Sequence, residues 1–584
     1  MDLDRERKLS DYFIFSTVIS CIAQVCWFAS KGFTQIDYDG MSYVGIARHL
    51  RDGQFHAAIN AFRSPLISWI IAAGSLLDGN LLQVGKFTNI GSFLISTALV
   101  YWLTKQLWHS RLVASIAGLG FSLARGLAAE SIILIIPDFL LTALVLIYFL
   151  ILLQCLRTDR SKDWFLLGVV HGVAYLAKAF ALPWLALATL VSVAVWLHKQ
   201  PHRCLTRLVL ASIAPLLIAG GWATVLHSKY GVFTTGSQFK ANFLGYNVRA
   251  HSQREPTYAV LNDTVPEPGV SDPSQWKSDE YMVNDPMPPH SPAWSYRPTI
   301  RQAVPLVIAA ERRILPNAMK ELTILLTPGG VLGFLLMLPT MVFRRQQWTS
   351  EFRFTLVVAV SAVSLILAYG MLAFITTYAF PLVAVMMAVT CRFFVSDSQF
   401  PVNAIWQRVC IVLAVAGLGV SFVYPASSFR TLDRNFQLSC YDAAKKLNAF
   451  PGSEIGSKIG SKIGSRIVSI GLGPYPEHGV GWEAGYRVAY FANRRIVAES
   501  PSLPAEVPLL MADIEMSSAD AVLVWGTPAD PGFQRIMRGL ATGYRATLPI
   551  NDPALGQVGA LVAGKIPGNQ TPAADSPVSQ ISRQ

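Results

Sequence analysis

Through the first 424 residues, long apolar runs alternate with short polar stretches, a pattern that predicts a bundle of membrane-spanning helices. Runs long enough to cross the hydrocarbon core, about 17–25 residues, fall at 11–30, 85–104, 111–129, 137–156, 164–181, 182–198, 206–227, 321–343, 352–370, 374–391 and 405–424. That makes about eleven spans. The run at 64–78 is shorter, and its side of the membrane sets the side of every later loop. Laid on the surface as a helix, it leaves Lys105, Arg111, Arg157, Arg160, Lys162, Lys199, Arg203, Arg207, Arg344, Arg345, Arg353, Arg392 and Arg408 on one side. This is the positive-inside pattern with a cytoplasmic N-terminus. The first apolar run has no small-residue cleavage site and reads as a signal anchor.

Composition agrees with the pattern. The chain has 584 residues, 52% of them hydrophobic and only 14% charged, against about 25% charged in soluble domains. Its net charge of +12 is spread singly between apolar runs, so it marks topology and anchoring to anionic lipid, not nucleic-acid binding. Six cysteines lie in or beside apolar runs and Cys440 stands apart. They provide no disulfide framework and no CxxC metal site.

Between the first two apolar segments, residues 35–66 carry Asp37, Asp39, Arg48, His49, Arg51, Asp52 and Arg63. From Gly40, Met41, Val44, Ile46, Ala47 and Leu50 recur at helical spacing, which predicts a short helix lying on the membrane. Asp39 heads it. A helix cap is one reading of that position, because an anion at a helix start is favoured by free N–H groups and the dipole.

The spacing of Asp39 and Tyr43, followed by Ala47 and Gly53 and then by Pro65, Leu66 and Trp69, resembles the first external loop of the GT-C membrane glycosyltransferases. The resemblance is to the branch of the protein O-mannosyltransferases and lipid A aminoarabinose transferases. It implies seven spans before a large external loop, two surface helices after the first span, and Asp39 as catalytic carboxylate. Asp138, just after Pro137, matches a second acidic residue of that family, with another helix cap as the alternative reading. Gly168 and Gly172, followed by the A-x-L-A-K ending at Lys178, resemble its Gly-rich helix ending in Lys. Two departures stand out. Arg63-Ser64 occupies a place where several relatives have Glu-Lys, and Thr377-Tyr378 a place where many have Arg-Tyr.

Read without the resemblance, a helix over 164–181 puts His171, Tyr175 and Lys178 on one face. Lys178 then lies about 21 Å above the inner end at 1.5 Å per residue. Ionisable groups at such depth are functional candidates. Asp39, Arg63, Asp138 and Lys178 thus form the candidate site, with Tyr43, Tyr175 and His171 as cavity lining. The chemistry they suit is inverting sugar transfer from a polyprenyl-phosphate donor to a lipid, glycan or protein acceptor. Asp39 would act as base, and Lys178 and Arg63 would bind the donor phosphate. No cofactor is certain from the sequence, and Asp39 and Asp138 could share a divalent metal. The alternatives are a transporter or flippase of a lipid-linked sugar, without chemistry, and a plain membrane anchor.

The fold class expected is therefore a polytopic α-helical membrane protein, GT-C-like, with a small external α/β domain. The divisions are a transmembrane module at 1–227, an external loop with an interfacial helix at 228–320, further spans at 321–424, the α/β domain at 425–567 and a polar tail at 568–584. Strand-like runs RIVSIGL, YRVAYFA, RRIVAE and AVLVWG support that domain, and a Gly-Ser repeat from Gly452 forms its flexible spacer. The location implied is a bacterial inner membrane, with the C-terminal domain outside.

Overall fold

A computed structural model describes residues 3–32, 36, 38–124, 127–197, 201–238, 350–370 and 379–391. It also describes the elements at 466–470, 495–500, 521–525, 531–541, 544–550 and 559–565. The runs at 321–343 and 405–424, the family position Thr377-Tyr378, the strand-like run YRVAYFA and most of the Gly-Ser repeat lie outside these residues. The chain divides into two compact units, Met1–Arg254 with Pro292–Ser428 and Glu255–Ser291 with Phe429–Gln584.

In the first unit the described helices are α1 (Leu3–Gly32), α2 (Tyr38–Arg51), α3 (Phe55–Ala58), α4 (Leu66–Asp78), α5 (Leu81–Trp108), α6 (Arg111–Leu123) and α7 (Leu127–Ile133). They continue with α8 (Asp138–Thr158), α9 (Ser161–Ala177), α10 (Ala181–Leu197), α11 (Pro201–Tyr230), α12 (Ser350–Gly370) and α13 (Phe380–Thr390). Among the described residues, four helical stretches are long and apolar enough to cross a membrane: Glu6–Ser30, Leu81–Trp108, Asp138–Thr158 and Arg203–Tyr230. With α6 and α7 taken as one broken span, a fifth is added. The chain is a polytopic helical membrane protein.

The structure departs from the expected spans in two places. The run at 111–129 is not one helix: α6 and α7 meet at a bend of 48°, where the Gln24 side-chain amide of α1 donates to the Ser122 carbonyl at 3.0 Å. The helix expected over 164–181 stops at Ala177, and α10 starts at Ala181. Pro183 favours this break, since its ring would collide with the carbonyl four residues back, at Ala179, if one straight helix ran through.

The short run after Arg63 forms α4, 13 residues long, about 20 Å by helical rise and too short to cross the hydrocarbon core. It packs on α2 and α5, and the Ser68 hydroxyl donates to the Tyr43 carbonyl at 3.0 Å. Packing buries α2 on several sides, with Tyr43, Val44, Ile46 and Ala47 all inside.

At the centre lies α8, 21 residues long, about 31 Å and so a full membrane thickness. Phe139, Tyr148, Phe149 and Leu152 fill the surrounding core. From one end to the other, α8 separates Asp138 from Asp159. At the Asp159 end, Arg207 Nε lies 2.8 Å and Arg203 Nη1 3.5 Å from the Asp159 carboxylate. Asp159 closes α8 in the left-handed conformation, φ 51°. Helix α9 lies tight against α11 because Gly168 and Gly172 carry no side chain. A Cβ on Gly168 would stand 2.5 Å from the Ala211 carbonyl oxygen, and one on Gly172 would stand 3.2 Å from Pro215 Cα.

The second unit contains a five-stranded mixed sheet with order β2-β1-β3-β5-β4: β1 (Arg466–Ile470), β2 (Arg495–Ser500), β3 (Ala521–Trp525), β4 (Tyr544–Ile550) and β5 (Gly559–Lys565). β1 pairs in parallel with β2 and β3, while β5 runs antiparallel to β3 and β4. Helix α14 (Pro531–Ala541) buries Phe533, Ile536, Met537 and Leu540, an apolar stripe at helical spacing. The three strand-like runs at β1, β2 and β3 fall where the sequence placed them.

Candidate active site

The loop between α3 and α4 is built to hold Arg63. Asn60 Oδ1 accepts the backbone N–H groups of Phe62 at 2.8 Å and Arg63 at 2.6 Å, the local turn that Asn favours. Lys229 Nζ and the Tyr230 hydroxyl of α11 both donate to the Ile59 carbonyl, at 2.7 and 3.2 Å, and the Ser237 N–H donates to Ala61 O at 2.8 Å. So anchored, Arg63 is 4% exposed, with its guanidinium carbon 4.8 Å from the Phe62 ring centre and 5.5 Å from that of Tyr43.

From there Arg63 Nη2 reaches Asp39 Oδ1 at 2.5 Å. Asp39 lies inside the first turn of α2, so its carboxylate serves an ion pair and not only a helix end. Its side chain remains 45% exposed. Tyr43, one turn further on, is buried beside Arg63; burial pushes its phenol pKa upward, Arg63 opposes the rise, and Asp39 and Asp138 add to it. Both carboxylates therefore lie within electrostatic reach of one tyrosine.

Asp138 opens α8, where Pro137 supplies no side-chain cap. Its carboxylate is spent on a second ion pair: Lys178 Nζ lies 2.6 Å from Asp138 Oδ1, with both side chains nearly closed to solvent. Lys178 reaches it from the break after α9, in extended backbone with φ −155° and ψ 120°. This corrects the expected single face. His171, Tyr175 and Lys178 do not point together, because the helix ends before Lys178. His171 Nε2 donates to the Leu182 carbonyl at 2.9 Å and its ring meets Tyr148 edge-on at 6.3 Å, so it ties α9 to α10. Tyr175 donates to Thr235 O at 2.9 Å and borders a small open pocket with Arg63, Ser64, Trp222 and Gly236.

Two residues beyond the expected set complete the frame. Ser64 Oγ accepts the Ala179 N–H at 3.0 Å, which joins the Arg63 loop to the Lys178 break. Asn60 orients Arg63 from behind. Only the turn propensity of Asn60 was visible in the sequence; the partner of Ser64 lies 115 residues away.

The two carboxylates do not make a metal site as they stand. Each is already matched by a cation, and among the described residues no group of three His, Cys, Asp or Glu side chains converges as ligands. A divalent ion would have to displace Arg63 or Lys178.

Comparison with known proteins shows that this helical bundle is similar to membrane glycosyltransferases of the GT-C type. Residues 62–219 match the family of dolichyl-phosphate-mannose-protein mannosyltransferases, a stretch that includes Arg63, Asp138 and Lys178 and leaves Asp39 outside. The chain is 29% identical over 169 residues to the undecaprenyl phosphate-alpha-4-amino-4-deoxy-L-arabinose arabinosyl transferase 2 of Proteus mirabilis. That match spans 28% of this chain and 30% of the relative. The crystal structure of ArnT from Cupriavidus metallidurans in the apo state superposes with a TM-score of 0.53 at 14% identity, over 94% of this chain and 97% of that one. The same protein bound to undecaprenyl phosphate gives 0.50 at 12% identity, over 96% of this chain and 99% of that one. At these identities the likeness is one of fold alone.

Proposed function

We propose that this chain is an inverting glycosyltransferase that moves a sugar from a polyprenyl-phosphate donor to a lipid, glycan or protein acceptor at the outer membrane face. The observation that carries this is the meeting of two ion pairs, Asp39–Arg63 and Asp138–Lys178, drawn from four separate elements at one end of α8. The activity named for the arabinosyl transferase relative and the undecaprenyl phosphate named in the solved structure point to the same donor class.

The two pairs differ in access, and that difference assigns roles. Asp39, 45% exposed, is the carboxylate an acceptor reaches. It takes the proton of the acceptor's hydroxyl or amine while the freed lone pair attacks the anomeric carbon. As that bond forms, the bond from the anomeric carbon to the phosphate oxygen breaks, and its electrons leave on the lipid phosphate. Arg63 and Lys178 stabilise the growing negative charge. Asp138 holds Lys178 in place until the phosphate arrives. One displacement without a covalent intermediate inverts the anomeric centre.

In the full topology the chain crosses the membrane about eleven times, with the N-terminus cytoplasmic and the C-terminal domain external, in a bacterial inner membrane. The basic cluster around Asp159 then lies inside and the Asp39 cluster outside. A reporter fused after Arg160 is expected to read cytoplasmic and one after Cys440 external; inverted readings would overturn this orientation. For the activity, membrane vesicles holding the chain are incubated with labelled polyprenyl-phosphate sugars. Label is expected to move to an acceptor in vesicles with the wild-type chain and to stay on the lipid in vesicles without it. Label that never leaves the donor refutes the transferase reading.

A further inference from the structure

Ahead of Asp138 the backbone leaves helical geometry in a partly buried stretch, and its carbonyls need donors there. Helix α7 ends at Ile133. In a continuing helix the Ile133 carbonyl would accept from the N–H four residues on, but that residue is Pro137, which has none. The Leu134 carbonyl lies just past the end of α7, outside helical geometry.

Helix α5 fills both gaps. Lys86, whose side chain is fully buried, donates its Nζ to the Ile133 carbonyl, and Asn89 Nδ2 donates to the Leu134 carbonyl at 2.9 Å. Their spacing of three puts both on one face of α5. Gly85 lets that face close on the segment, since a Cβ there would stand 3.0 Å from Ile135 Cδ1. Ile135 and Ile136 are themselves buried, so the five residues before Asp138 are held from the α5 side by two polar anchors and a close apolar contact.

We propose that Lys86 and Asn89 are positioning residues: Lys86 replaces the donor lost at Pro137, Asn89 holds the next carbonyl, and together they set where Asp138 meets Lys178. The carbonyl that the buried Lys86 amine bonds lies five residues before Asp138, close enough along the chain to set its place. The kinetic arm of the test rests on the transferase reading, whereas the thermal arm does not.

Both arms use the full-length chain purified in detergent. In the thermal arm, Lys86→Met is compared in the wild-type and Pro137→Ala backgrounds. It is expected to lower the melting temperature clearly in the first and by a smaller shift in the second, where position 137 has recovered its N–H. Equal shifts overturn the replacement of the missing donor. In the kinetic arm, Lys86→Met is expected to cut transfer by about 10–100-fold, the scale of a small misplacement of a site group. In an Asp138→Asn background it is expected to cause no further loss, because Lys86 acts through Asp138. Losses that multiply, or unchanged transfer in Lys86→Met, overturn the positioning role. Should Lys86→Met fail to fold, Asn89→Leu is read against Asp138→Asn by the same criteria. A wild-type chain that transfers no sugar sinks the transferase reading alone, and the thermal arm then decides the inference.

Discussion

Ser64 Oγ accepts the amide hydrogen of Ala179 at 3.0 Å, and through this bond the loop that carries Arg63 is tied to the helix break that carries Lys178. In an unbroken helix that amide would bond the Tyr175 carbonyl. The serine diverts it, so Lys178 leaves the helix direction and turns to Asp138.

Ser64→Ala removes that acceptor and leaves the Ala179 N–H without its bond, at a cost of about 1–3 kcal/mol. The protein should still insert and fold, but transfer is expected to fall by about tenfold or more as Lys178 loses its register. Equal turnover in wild-type and Ser64→Ala protein, measured on one donor and acceptor, would show that the bond does not position Lys178.

Asp39→Asn keeps the shape of the side chain and its ability to accept from Arg63, while it removes the base. Transfer is expected to drop by about 10²–10⁴-fold with expression and insertion intact. Near-normal turnover would restrict Asp39 to holding Arg63.

Lys178→Ala leaves Asp138 as a buried charge without this partner, and breaking one side of such a pair typically costs about 3–5 kcal/mol. Both transfer and thermal stability should fall. The double substitution Lys178→Met with Asp138→Leu removes the stranded charge, so stability is expected to recover while transfer does not. Recovery of both would mean that the pair serves only the fold.

Gly168→Leu places a side chain where a Cβ would already stand 2.5 Å from the Ala211 carbonyl oxygen. Backbone cannot give way as a flexible side chain does, so α9 and α11 must separate, at a cost of about 1–3 kcal/mol or more. Gly91→Ala is the control, since a Cβ there meets nothing within 4 Å; its melting temperature should hold or rise slightly. Similar melting temperatures for both variants would show that the glycine seam does not govern the packing.

Hydrophobic run length and low charge were enough to predict a helical membrane protein, and the short run at 64–78 was legible as a separate short element, which the structure shows as α4. Asp39, Arg63, Asp138 and Lys178 were legible as candidates because charge beside apolar runs needs a reason and because Asp39, Asp138 and Lys178 match places in the GT-C pattern the chain resembles. Their pairing was not. Asp39 finds Arg63 across 24 positions and Asp138 finds Lys178 across 40, and a contact of that range leaves no periodic trace in sequence. Helical spacing grouped His171, Tyr175 and Lys178, but spacing applies only while the helix lasts, and Pro183 with Ser64 ends it first. Lys86 passed as an ordinary residue of an apolar helix until the Ile133 carbonyl was seen beside its amine. Chain-local rules thus determined the elements and the chemical types available. Which cation meets which carboxylate was decided only when the tertiary structure brought distant breaks in helices to the same end of α8, where each buried charge and each orphaned carbonyl had to find a partner.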